Sequence, residues 1–416
     1  MIKIFSNPSV IITVDTGGEN VKRGKSLDQI NLLPDHSILV ENSTIKDFIP
    51  TQSLSKFSSY QNISLKNKII LPGLVECHTH TVFCGSRGDE FRDRMSGKTY
   101  EEVAANGGGI NKTVIAVREA SFDEIIKTVR PRIEYFISQG ITTLEIKSGY
   151  GLDFENEIKL LNVIKRLNEI YPIEIISTFL GAHTYPNEYK DNHGDYLNLI
   201  INKMLPYIAG NKLAEFCDAF CEKTAFSAAE VDLIFDKAVE LGLKVKLHTD
   251  QFNSMQGIST ALKHKAVSVD HLEVINETDL KNIGESETVC TLLPGVSFFL
   301  NHSFAPAKKL IEGNAIVALS TDYNPGSSNI ANLNLIMSIA ALKMDMTIEQ
   351  TISAVTINAA KALNRNNLTG SLEIGKKADF AILDTNDYTD IVYATGKNLN
   401  CMTVKNGEII YNSQNS

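Results

Sequence analysis

The sequence predicts an α/β protein: a TIM-like (β/α)8 barrel carrying a small β-sandwich built from both chain ends. Eight apolar, β-branched stretches alternate with helix-patterned segments through the middle of the chain. The two ends each show a strand–turn–strand pattern. The length, 416 residues, suffices for a barrel of about 250 residues plus an attachment.

The ends come first. "HSILVENSTIKDFIP" is a β-rich run, a polar turn and a second run, and "NCMTVKNGEIIYN" repeats this around Lys405-Asn406-Gly407, a hairpin signal. "GKKADFAILD" adds a short strand before it. Isolated hairpins are marginal in water, so residues 1–63 and 363–416 are expected to form one composite β-sandwich domain. Residues 64–362 then form the barrel domain.

Along that insert the strand candidates are "KIILPGLVECHTH", "GITTLEIKSGYG", "IEIISTFLGAHTYP", "FCDAFCEKTAFS", "LKVKLHTDQF", "AVSVDHLEV", "TVCTLLPGVSFFL" and "AIVALSTDYNPGS". Between them "ENEIKLLNVIKRLNEIYP" and "SAAEVDLIFDKAVELG" have helical periodicity. After the eighth strand come two further helical stretches, "NLNLIMSIAALKM" and "IEQTISAVTINAAKAL". Eight βα units in a row fit a closed barrel better than an open sheet.

Composition narrows the function classes. Hydrophobic content of 43% and charged content of 21% are ordinary for a globular enzyme. The excess of 49 acidic over 40 basic residues, a net charge of −9, argues against a nucleic-acid surface. Cys77, Cys84, Cys217, Cys221, Cys290 and Cys401 lack the rhythm of a disulfide framework and read as reduced, buried thiols. The start has no small-residue cleavage pattern and no apolar run reaches the ~18 residues that a bilayer needs. A cytoplasmic protein without membrane contact is expected.

Polar residues in a barrel gather at the C-terminal strand ends, where active sites form. His78 and His80 close the first strand, His183 the third, His248 the fifth, His271 the sixth and Asp322 the eighth. Imidazole nitrogen and carboxylate oxygen suit Zn2+ and also Fe2+. Alternate residues on a strand point the same way, so His78 and His80 can grip one ion, with His248 and Asp322 completing the set. Such an ion would turn water into a nucleophile near neutral pH. His36, His193, His264 and His302 read as ordinary satisfied histidines.

These residues resemble the amidohydrolase superfamily. The stretches "LPGLVECHTHTVFCGSRGDEF", "GGGI", "EIKSGYGLD", "FLGAHTYP", "FCEKTAFS", "HTDQF", "DHLE", "LLPG" and "STDYNPGSS" carry the likeness from about residue 71 to 328. The narrower ones resemble members that open the ring of 4-imidazolone-5-propanoate with water, giving N-formimidoyl-L-glutamate in histidine breakdown. The resemblance implies one zinc or iron ion on His78, His80, His248 and Asp322. It implies substrate contacts from Arg87, Tyr150, His183, Gln251, Asn324, Gly326 and Ser327, and a homodimer.

Arg87's planar fork suits the substrate's carboxylate tail. Asp322 is expected to take the proton of the attacking water, with His271 stabilising the developing oxyanion. Where several amidohydrolases carry a glutamate three residues after the strand-5 histidine, this chain has Gln251, which exchanges no proton near neutrality. Gln251 is expected to orient the ring instead, with Asp250 pointing away if the strand continues. Cys221, Glu222 and Lys223 occupy the place of a second-ion bridge, and the resemblance favours a single ion. The competing expectations are a cytosine or guanine deaminase, a hydantoinase, or a barrel kept as an inactive scaffold.

Overall fold

The computed structural model describes residues 2–97 and 108–414. The first glycine of "GGGI", Gly107, lies outside them. Eight parallel strands form one sheet: β1 Leu74–Glu76, β2 Ile141–Lys147, β3 Glu174–Ala182, β4 Phe216–Cys221, β5 Lys244–Thr249, β6 Ser268–His271, β7 Val289–Leu292 and β8 Ile316–Leu319. They pair in sequence order. Just beyond the strand ends, a parallel bridge between Thr79 and Tyr323 joins the first to the last, and His80 N donates to Tyr323 O at 3.0 Å. All eight strands sit within the stretches that the apolar pattern marked.

Connecting helices follow their local signals. Ser227 caps Ala228–Glu240 through a reciprocal box with Glu230. Asp153 caps Phe154–Ile170, whose Leu160, Leu161, Ile164 and Leu167 form the buried stripe.

The chain ends interleave as expected. Val10–Ile12, Leu32–Leu33, Ile69–Pro72, Phe380–Leu383, Asn400–Lys405 and Glu408–Asn412 make a six-stranded sheet. Ile2–Ser6, His36–Glu41, Thr44–Pro50 and Gln61–Ser64 make a four-stranded one. Phe5, Ile38, Val40, Ile70, Phe380, Ile382 and Val404 share a buried core of their own. Both hairpins turn on left-handed pairs, Asn42-Ser43 and Asn406-Gly407.

Two elements differ from the periodic reading. "KIILPGLVECHTH" is two strands: Ile69–Pro72 pairs with Phe380–Leu383 in the terminal sheet, and β1 begins at Leu74. The chain crosses at Gly73, where a Cβ would lie 2.3 Å from Thr142 Oγ1, so the Thr142 side chain fills the space that any larger residue would need. "IEQTISAVTINAAKAL" breaks into Ile348–Ala354 and Ile357–Lys361. Thr356 leaves helical geometry there and turns its hydroxyl back to Ile352 O at 2.6 Å.

Candidate active site

Four side-chain atoms from three strand ends face one point. His78 Nε2 and His80 Nε2 lie 3.3 and 3.2 Å from Asp322 Oδ1. His80 Nε2 lies 3.4 Å from His248 Nε2. A tetrahedral Zn2+ with ligands at about 2.1 Å has ligand–ligand edges of about 3.4 Å. These three edges therefore match the spacing around one small ion.

Protonation supports that fit. His78 Nδ1 lies 2.7 Å from Asp270 Oδ2, and His248 Nδ1 lies 3.1 Å from Asp218 Oδ1. Each carboxylate accepts a hydrogen bond from its ring's Nδ1–H, leaving Nε2 with a free lone pair. His78 Nε2 and Asp322 Oδ1 are buried with no hydrogen-bond partner. Bare acceptors facing one another are costly unless a cation lies between them. The residues fit a divalent metal, and His78, His80 and His248 are a group whose ligand atoms lie within 4.8 Å of one another.

Burial holds the His78 imidazole down at about 4, with Lys147 and His248 adding positive charge nearby. Burial raises the Asp322 carboxyl, yet its contacts with His78 and His80 outweigh this and hold it well below the usual range. Asp322 has φ 48° and His271 φ 89°, left-handed conformations unusual outside glycine.

Beneath these four donors lies an ionic network that the sequence alone does not reveal. Lys147 Nζ lies 2.7 Å from Glu145 Oε1, 2.8 Å from Asp218 Oδ2 and 3.9 Å from Asp270 Oδ2, all fully buried. Lys246 Nζ donates to Cys77 O at 2.9 Å and lies 3.6 Å from Glu145. The signal was present as charge two residues before a ligand, in Glu76–His78 and Lys246–His248, on strands buried on both faces. Asp218, His248 and Asp270 form a second donor group, but the Lys147 ammonium already bridges its two carboxylates.

Of the three residues that stand where a second-ion bridge would lie, Glu222 has other partners. Glu222 accepts from Lys223 N, Phe252 N, Asn253 N and Asn253 Nδ2 at 2.7–3.1 Å, tying the loop after β5. Cys221 is buried in the core.

His183, Tyr150 and His271 stand next to the donor rings. The His183 ring stacks on His80 with centroids 5.2 Å apart, and its Nδ1 lies 2.9 Å from Gly149 O. Tyr150 sits 5.9 Å from the His80 ring and 5.4 Å from the His183 ring, its hydroxyl pushed up by burial and by Asp322. The His271 ring lies 5.5 Å from that of His248 and 6.1 Å from that of His78. Burial opposes its charge, but Glu273, 3.4 Å from Nδ1, raises it overall.

Asn324 is committed within its own loop. Its Nδ2 donates to Asp322 O (2.7 Å), Asp322 Oδ2 (3.1 Å) and Ser327 Oγ (2.9 Å). Its Oδ1 accepts from Gly326 N and Ser327 N at 2.8 and 2.7 Å. Arg87 donates from Nε to Glu90 Oε2 at 2.9 Å and rests against Gly326.

Gln251 is partly buried one residue beyond Asp250. The strand does not continue as the alternation argument supposed: β5 stops at Thr249 and Asp250 has φ 54°. Asp250 Oδ1 accepts from Thr249 Oγ1 at 2.9 Å, and burial pushes its carboxyl up to about 6.

Known proteins match both fold and chain. The model of the amidohydrolase family matches residues 69–410. An imidazolonepropionase of Clostridium tetani is 41% identical over 411 residues, 98% of each chain. One of Flavobacterium johnsoniae is 39% identical over 99% of this chain and 100% of its own. Among solved structures, a Xanthomonas campestris adenosine deaminase with bound Zn superposes with a TM-score of 0.72 at 15% identity, covering 98% of this chain and 92% of its own. An E. coli guanine deaminase gives 0.72 at 13% identity over 99% of both. At such identities these structures speak for the barrel and its terminal sheets. The chain belongs to the amidohydrolase family, on its imidazolonepropionase branch.

Proposed function

We propose that the chain is a hydrolase of carbon–nitrogen bonds in a cyclic amide, opening 4-imidazolone-5-propanoate to N-formimidoyl-L-glutamate. Identity of 41% to an imidazolonepropionase across 98% of both chains carries this reading. The clustered donors supply a chemistry that suits it. His78, His80, His248 and Asp322 would hold one ion, zinc or iron. When bound, such an ion supplies Lewis acidity, polarising a carbonyl and making water easier to deprotonate.

The other groups act on the substrate. Asp322 takes the proton of the attacking water; its Oδ1 faces the His78 and His80 nitrogens and Asn324 holds its Oδ2 in place. His271 stands beside the ligand rings to donate to the oxyanion that develops on the ring carbonyl. Tyr150 and His183 flank His80 and bound the ring's position. Arg87 takes the propanoate carboxylate, and Gln251, Gly326 and Ser327 complete the contacts. Departure of the ring nitrogen needs one proton, which Asp322 or His271 returns.

Six buried free thiols support a reducing, cytoplasmic compartment; the homodimer rests on the resemblance alone. Among the described residues no helix is long and apolar enough to cross a membrane. The test offers the metal-loaded chain 4-imidazolone-5-propanoate, guanine, cytosine and hydantoin, with products identified by mass spectrometry. N-formimidoyl-L-glutamate should be the dominant product. Faster turnover of guanine or cytosine would replace this reading with a deaminase.

A further inference from the structure

Glu90 has no part in the mechanism above, yet it holds the residue assigned to the substrate's tail. Arg87 Nε and Nη2 both point at a single oxygen, Glu90 Oε2, at 2.9 and 2.8 Å. The two side chains are 13% and 10% exposed. The other oxygen, Glu90 Oε1, is buried without a hydrogen-bond partner among the described residues. Glu90 lies three residues after Arg87, in the first turn of the helix Gly88–Met95.

A guanidinium can offer two donor edges, Nε with Nη2 and Nη1 with Nη2. Glu90 takes the first. Nη1 has no hydrogen-bond partner among the described residues, so among them the second edge is open. A Cβ on Gly326 would fall 2.0 Å from Nη1 and 2.7 Å from Cζ, so the guanidinium lies directly on the backbone of the Asp322–Ser328 loop. Glycine makes the cradle; Glu90 keeps the group in it. A free arginine would lose rotamer freedom on binding a ligand, whereas a held one has lost it already.

We propose that Glu90 is a positioning residue, orienting Arg87 so that its Nη1–Nη2 edge meets the carboxylate tail of the substrate. The proposal rests on the cyclic-amide reading and on Arg87 as the anion site. A glutamate adds no attraction for an anion, so its contribution is orientation, and orientation predicts a particular kinetic pattern. Losing an interaction made equally in ground and transition states raises KM and leaves kcat unchanged.

Steady-state kinetics on the metal-loaded enzyme test this with E90A, E90Q, R87Q and the double variant R87Q/E90A. The substrates are 4-imidazolone-5-propanoate and its propanamide analogue, whose tail is uncharged. E90A is expected to raise KM about 10-fold with kcat within about threefold, and to leave KM for the propanamide unchanged. E90Q keeps an acceptor oxygen and should raise KM less; if E90A fails to fold, it carries the comparison. The double variant should be no worse than R87Q, since both losses act through one contact.

An unchanged or lowered KM in E90A and E90Q, beside a raised KM in R87Q, would overturn the role of Glu90 and leave the function intact. Additive losses in the double variant would also overturn it. If R87Q itself discriminates no tail, the anion site is wrong and the proposal falls with it. If 4-imidazolone-5-propanoate is not a substrate at all, the function itself has failed.

Discussion

His78 Nδ1 and Asp270 Oδ2 meet at 2.7 Å with both side chains fully buried. The contact assigns the ring proton and leaves Nε2 free, 3.3 Å from Asp322 Oδ1. Such carboxylate partners tune metal affinity through the ligand they orient. Asp270→Asn is expected to weaken Zn2+ binding by roughly 10–100-fold, measured by competition with a chromogenic chelator. Unchanged affinity would show that the ring is oriented by packing alone.

Lys147 compensates three buried carboxylates at once. Removing one partner of a buried ionic group typically costs about 3–5 kcal/mol, because the remaining charge stays desolvated. Lys147→Met is expected to destabilise the chain by about that amount in denaturant unfolding. A loss below about 1 kcal/mol would mean that water reaches the network.

Glu76 gives a pH signature. Ser320 Oγ and Thr321 N bond its Oε1, but burial dominates and pushes the carboxyl up from 4.5 to about 7. Between those values the folded chain holds a proton that the unfolded chain has lost. Stability from this group is therefore complete below the unfolded value and lost as pH rises through about 7. Glu76→Gln removes the dependence, so the variant should gain on the parent by roughly 3 kcal/mol between pH 4.5 and 8. Parallel stability profiles would contradict the buried carboxyl.

The His271 ring stands beside those of His78 and His248, with centroids 6.1 and 5.5 Å away. His271→Ala should keep its metal, by elemental analysis, while turnover falls by ~10² or more. Full turnover would remove it from the reaction.

Much of this was readable in the sequence because barrel strands are buried on both faces. A histidine or aspartate ending such a strand is conspicuous, and His78, His80, His248, His271 and Asp322 all stood out for that reason. The supporting charges were harder to see. Lys147 and Asp218 look like ordinary polar residues until topology brings β2 beside β3 and β3 beside β4. Their partnership spans 71 residues of sequence. The split at Gly73 was hidden because Ile69–Pro72 and Leu74–Glu76 form one continuous apolar run. Apolarity reports burial but not which sheet does the burying. The Arg87–Glu90 pair was close in sequence, but helix-surface pairs of that spacing are common and mostly solvated. Their burial beside Gly326 sets them apart.

We propose that one cation shared by His78, His80, His248 and Asp322 makes the ring opening possible. Zn2+ is titrated into the metal-stripped chain while loss of 4-imidazolone-5-propanoate is followed. Turnover should be absent at the start, rise in proportion to added ion and level off at one equivalent per chain. Full turnover in the stripped chain, or a plateau reached only at two equivalents, would contradict it.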